Sequence, residues 1–110
     1  MTTRDIEGIA IIDVVGRVTL GEGNTMLRQV VTTLVDQGNN RIILNCVELD
    51  HLDSSGIGEL VSAFTTTKNQ GGELKLLNLT KKVNDLLQIT KLYTVFDVKD
   101  DEAAAVKSFK

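Results

Sequence analysis

His51, Asp53 and Ser54 fall within four successive positions, and imidazole, carboxylate and hydroxyl are the residue types of a nucleophilic triad. A triad needs the imidazole bonded to the hydroxyl on one side and to the carboxylate on the other. Three side chains crowded this closely along a chain rarely meet that geometry. The Gly-x-Ser-x-Gly elbow of hydrolases is also missing, because Ser54 and Ser55 precede both Gly56 and Gly58. Gly21-Glu22-Gly23 begins like a dinucleotide fingerprint, but Met26 stands in the third glycine position and Glu22 would sit beside the phosphates. Gly56-Ile57-Gly58 is followed by no Walker lysine. Asp53 and Glu59 have no third carboxylate beside them and read as solvated loop and helix charges. One histidine and one cysteine make no cluster for zinc or iron, and Cys46, at the end of an apolar run, reads as a small buried hydrophobe. No catalytic residue, metal site or cofactor is expected.

What remains is Asp53-Ser54-Ser55-Gly56-Ile57-Gly58-Glu59-Leu60, two hydroxyls and two glycines where a strand hands over to a helix. Arg41 to Val47 before it is an apolar run of strand length. Ile57, Leu60, Val61 and Phe64 after it have the i, i+3, i+4, i+7 spacing of one helix face. Ser54 and Ser55 therefore lie near a helix N-terminus, where the first N–H groups lack intrahelical partners. A hydroxyl can cap such an end, and a phosphate can be accommodated there. Capping alone explains the segment poorly. Each glycine in a first helical turn costs about 1 kcal/mol relative to alanine, and neither serine has Glu or Gln three positions on to complete a capping box. Glycine in an exposed first turn does suit the close approach of another protein's backbone.

The elements that position this segment follow from the same patterns. Ile9 to Val15 reads as a strand, and Gly16-Arg17-Val18-Thr19-Leu20 as a turn into a second short strand, an opening hairpin. Asn24 is an acceptable N-cap for a helix with Leu27, Val30, Val31, Leu34 and Val35 on one face, ending near Gly38. After the strand from Arg41 to Val47, the Asp53 loop and its helix to Gly71-Gly72, Leu74 to Leu77 reads as a strand. Thr80 opens a third helix with Val83, Leu86 and Leu87. Tyr93 to Val98 is the last strand, and Asp100 or Asp101 caps a final helix with Ala103, Val106 and Phe109. The order β-β-α-β-α-β-α-β-α implies an α/β fold with a mixed, mostly parallel sheet largely covered by helices.

At 110 residues the chain suits one domain, residues 1–110. A net charge of −3, with no run of Lys and Arg longer than Lys81-Lys82, disfavours direct nucleic-acid binding. Met1 to Glu7 lacks the apolar core of a signal peptide, and no stretch approaches the length of a membrane span. A soluble, cytoplasmic protein without membrane insertion is expected. Nothing in the sequence fixes an oligomeric state.

Asp53-Ser54-Ser55-Gly56-Ile57-Gly58-Glu59-Leu60 after an apolar strand, with Gly71-Gly72-Glu73-Leu74-Lys75-Leu76-Leu77-Asn78-Leu79 downstream, resembles the STAS family, and within it the bacterial anti-sigma factor antagonists. Val83-Asn84-Asp85-Leu86-Leu87, Ile89-Thr90-Lys91-Leu92 and Val95-Phe96 look like that family's third helix and final strand, so the resemblance spans nearly the whole chain. It implies partner switching by a protein that is not an enzyme. The unphosphorylated antagonist binds an anti-sigma factor of histidine-kinase-like ATPase fold, which is also a serine kinase, and so releases a sigma factor. Phosphorylation of the serine after the aspartate, here Ser54, ends the binding, and a phosphatase of the PP2C type restores it. Asp53 would position that serine, and Ser55, Gly56, Ile57 and Gly58 would form the contact surface around it. The chain departs from familiar antagonists at Gly16-Arg17-Val18-Thr19, where they often carry an acidic-Leu-Asp run. A scaffold-type or transporter-associated STAS protein, with no phosphorylation switch, is the alternative.

Overall fold

The computed structural model describes residues 1–109. Chain order runs β1 (Thr2–Ile6), β2 (Ile9–Val18), α1 (Glu22–Asp36), β3 (Arg41–Leu52), α2 (Ser54–Asn69), β4 (Glu73–Leu77), α3 (Lys81–Thr90), a 3-10 turn (Leu92–Thr94), β5 (Val98–Lys99) and α4 (Glu102–Lys107). The five strands lie side by side in that sequence. β1 pairs antiparallel with β2, and each later neighbour is parallel, which is the expected mixed, mostly parallel α/β sheet.

Alternation along the strands sorts the core into two layers. Ala10, Ile12 and Val14 of β2, Ile42, Leu44 and Cys46 of β3, and Leu74 and Leu76 of β4 pack against Leu27, Val31 and Leu34 of α1, Ile57, Leu60 and Ala63 of α2, and Val83 and Leu87 of α3. The opposite face holds Ile9, Ile11, Ile43 and Leu77 under Ala105 and Val106 of α4. Helices therefore cover one face throughout. Among the described residues the other is covered by α4 alone, at one end, and Val15 and Val47 are exposed there. Arg4 ties the hairpin to this layer, with a two-pronged pair to Asp13 at 2.7 and 2.9 Å and a contact to Glu102 at 2.7 Å. Lys75, buried in β4, reaches Asp97 at 3.1 Å and the Ser108 carbonyl and hydroxyl at 3.1 and 2.9 Å, and lies 4.7 Å from the centre of the Phe109 ring.

Five of the described elements differ from the sequence expectation. The opening hairpin joins β1 to β2, turning at Glu7 and Gly8 with φ of 54° and 83°, the mirror-image dihedrals that match the twist of a two-residue hairpin. β1 is an edge strand of Thr, Arg and Asp with little apolar alternation, so the usual strand signal is absent from it. Gly16 to Val18 continue β2 instead of forming a separate strand. β3 runs five residues past Val47 to Leu52 and carries one extra residue opposite Asp13–Val15 and another opposite Gly16–Arg17. Those bulges break the period of two, which is why the run reads as if it ended early. α1 starts at Glu22, with Gly21 in the capping position and Asn24 buried inside the first turn instead of capping it. Finally, Tyr93 lies in the 3-10 turn and β5 is only Val98–Lys99. Thr80 and Asp101 do cap α3 and α4, accepting from the Val83 and Ala104 amides.

Candidate functional site

The end of β3 delivers Asp53 directly to the N-terminus of α2, with no loop between them. Asp53, and neither serine, is the N-cap. Its Oδ1 accepts the Gly56 amide at 2.8 Å and the Ser55 hydroxyl at 2.6 Å, and its Oδ2 accepts the Leu20 amide at 3.2 Å. The Ser55 hydroxyl, the Gly56 amide and the Leu20 amide together hold the Asp53 carboxyl below the usual aspartate range, against a smaller opposing effect of burial. None of these partners is His51, so the triad residue types do not assemble into a triad.

The two serines are held very differently. Ser55 is half-buried, and because an ionised carboxylate only accepts, its hydroxyl proton is directed at Asp53. The 2.9 Å contact between Asn24 Nδ2 and Ser55 Oγ must then be a donation from Asn24. That turns Asn24 Oδ1 into the interior, where it is buried without a hydrogen-bond partner. An unpaired buried acceptor costs about 1–3 kcal/mol, so Asn24 spends stability in keeping its amide on Ser55. Ser54 is exposed and its hydroxyl bonds no described residue. It is the hydroxyl free to meet a reagent or a partner.

The glycines also separate. A Cβ on Gly56 would lie 2.0 Å from the Val18 carbonyl oxygen and 2.6 Å from Leu52 Cδ1. The backbone that approaches Gly56 is thus the chain's own β2. Gly23 at the start of α1 meets the preceding carbonyl, Arg17, in the same way at 2.2 Å, so successive carbonyls at the end of β2 seat the two helices. Gly58 faces open space and is exposed. Ile57, on the apolar face that the spacing marks and in the contact surface that the resemblance implies, is 7% exposed and packs into the core. Ser54 and Gly58 are exposed at this helix start, and so is Leu20, at 83%, although its amide is pinned to Asp53. One turn along α2, buried Glu59 is held by Arg28 of α1 at 3.1 and 2.9 Å, so it is an anchored ion-pair partner and not a solvated charge.

Sequence reasoning missed Leu20 and Asn24 as parts of the site. The sequence pattern reads Leu20 as the end of a strand, and its distinguishing signal is an apolar side chain directly before Gly21-Glu22-Gly23. Asn24 carried a plausible capping signal that concealed its tie to Ser55, 31 positions away.

The STAS domain family model matches residues 1–105. The chain belongs to the STAS-domain family. An anti-sigma-B factor antagonist of Bacillus subtilis is 35% identical over 83 residues, 74% of each chain. The structure is similar to that of the Bacillus cell fate determinant SpoIIAA in its phosphorylated form, with a TM-score of 0.77 and 21% identity over 99% of this chain and 98% of that one. An anti-sigma factor antagonist from Mycobacterium paratuberculosis gives 0.85 at 14% identity, covering 98% and 91%. At those identities the solved structures speak for the fold, and this STAS domain shares it across nearly its whole length. Among the described residues no helix is long and apolar enough to cross a membrane.

Proposed function

We propose that this STAS domain is an anti-sigma factor antagonist whose binding is switched at Ser54. The observation that carries the reading is the contrast between the serines: Ser55 is committed to Asp53 and Asn24, whereas Ser54 stands free at the N-terminus of α2 beside an exposed leucine. The names of its relatives supply the partner class. Unmodified, the Ser54, Leu20 and Gly58 patch docks on an anti-sigma factor of histidine-kinase-like ATPase fold and frees its sigma factor. That partner is also the serine kinase. Ser54 Oγ forms a bond to the γ-phosphorus of ATP, and the bond from that phosphorus to the bridging oxygen breaks with its electron pair leaving on ADP. The hydroxyl proton passes to a base of the kinase. Water delivered by a PP2C-type phosphatase reverses the modification.

The phosphate adds about −1.5 to −2 charge beside the ionised Asp53. At the centre of an interface such a charge costs roughly 2–5 kcal/mol, which lowers affinity on the order of thirtyfold to a few thousandfold. Pull-down from native extract with wild-type and Ser54→Glu baits tests the switch. Wild type is expected to recover an ATPase-type anti-sigma kinase, and Ser54→Glu to lose it. Identical partners on both baits, with Ser54 unmodified in the cell, would instead make the domain a fixed scaffold or transporter-associated module.

A further inference from the structure

We infer that Asn24 is a positioning residue that decides which serine of the pair receives the phosphoryl group. The inference rests on the proposed modification of this site and adds to it a determinant on a different helix. A serine hydroxyl attacks phosphorus through an oxygen lone pair while its proton departs to a base. At Ser55 both are restrained: Asn24 Nδ2 donates into one of the oxygen's two lone pairs at 2.9 Å, and the proton is held by Asp53 at 2.6 Å. Asp53 is a poor base here, since the amides of Gly56 and Leu20 also share its charge. Ser54, one residue earlier and exposed, carries neither engagement.

Asn24 is the member of this chain that chemistry does not otherwise require. Asp53 caps α2 whether or not Asn24 is present, and Asn24 itself makes no cap for α1. Its Oδ1 is left unpartnered in the interior, with the residue only 7% exposed, as the cost of presenting Nδ2 to Ser55. An apolar side chain of similar size would fill the place without that orphan acceptor. The arrangement is therefore explained by what the amide does to Ser55 and not by the packing of α1.

Replacing Asn24 with leucine removes the donor and leaves Ser55 beside Asp53 with both lone pairs open. One ordinary hydrogen bond governs a factor of roughly three to ten in the population of the bound hydroxyl. Two readouts follow, taken on the full chain with Asn24→Leu and, as a second variant that adds no bulk, Asn24→Ala. In the purified protein, exchange of the Ser55 hydroxyl proton measured by NMR is expected to speed up roughly threefold or more. In native cells expressing each variant, fragmentation of the phosphopeptide is expected to show the Ser55 share of total phosphate rising roughly three- to tenfold. Unchanged exchange overturns the restraint, and phosphate that stays on Ser54 alone despite faster exchange overturns its role in site choice. Absence of phosphate from both serines in every variant refutes the modification reading and the site choice with it. The exchange rate then still decides whether Asn24 restrains Ser55.

Discussion

Gly56 and Gly58, two positions apart in the first turns of α2, should respond to alanine in opposite directions. At Gly56 the added Cβ would lie 2.0 Å from the Val18 carbonyl oxygen, a backbone atom that no rotamer change can move aside. Either the end of β2 or the start of α2 must shift, and overpacking of this kind costs about 1–3 kcal/mol. The same shift loosens the 2.8 Å bond between the Gly56 amide and Asp53. Against this, alanine gains up to about 1 kcal/mol of helix propensity, so Gly56→Ala is expected to lose about 1–2 kcal/mol net. Gly58→Ala meets nothing within 4 Å and should gain up to about 1 kcal/mol by the same propensity and by a less flexible unfolded chain. Urea unfolding at neutral pH reads both. With a slope of about 1–3 kcal/mol per molar, the midpoint should fall by roughly 1 M for Gly56→Ala and rise by a fraction of that for Gly58→Ala. A Gly56→Ala midpoint at or above wild type would refute the seating of α2 on the Val18 carbonyl. If Gly58 also faces the partner, Gly58→Ala should weaken anti-sigma factor binding while stabilising the fold.

Lys75→Met removes the contacts to Asp97 and Ser108; about 2–4 kcal/mol should be lost, read as faster hydrogen exchange across α4 with little change at α2. The Cys46 thiol is pushed up to about 12 by burial, so it should label with thiol reagents near pH 8 only as fast as the protein opens. Because its folded value lies above the unfolded 9.0, the stability it contributes is intact below pH 9 and lost as pH rises toward 12. Arg4 holds the Asp13 carboxyl below 3.8, and Ser55, Gly56 and Leu20 do so for Asp53. Both groups stabilise the fold above their unfolded values and lose that contribution as pH falls through the folded ones. Denaturant midpoints should therefore drop from about pH 5 to about pH 3, less steeply in Asp13→Asn.

The helices were legible because α1, α2 and α3 each bury one stripe under a sheet, and that requirement writes a period of 3.6 into the chain. β1 was illegible for the converse reason: an edge strand that buries almost nothing has no apolar alternation to read. The far half of β3 was hidden by two extra residues that shift its faces without shifting its composition. At the site, the sequence marks the Asp53 to Gly58 segment as a helix start but does not say which residue caps it. A capping signal read within one segment pointed to a serine, whereas the cap is Asp53, whose second oxygen also serves Leu20, 33 positions away. Local rules find the helix end, and only the fold shows that a β2 to α1 connection has been built into it.

That connection bears on why a charge at Ser54 should alter binding more than folding. The Ser54 hydroxyl makes no hydrogen bond among the described residues, so modifying it breaks none. The α2 dipole favours an anion at its N-terminus by about 0.3–1 kcal/mol, while the neighbouring Asp53 carboxylate opposes one, and the two effects act in opposite senses on the folded domain. Asp53 has no oxygen left to release without uncapping α2 or freeing Leu20, so the frame beneath the phosphate stays in place. What changes is the surface presented to a partner, from a neutral hydroxyl near exposed Leu20 and Gly58 to a phosphate beside the Asp53 carboxylate. NMR shifts between unmodified and phosphorylated protein should therefore be confined to the start of α2 and to Leu20. Shifts spreading across β2, β3 and β4 would show instead that the phosphate remodels the domain.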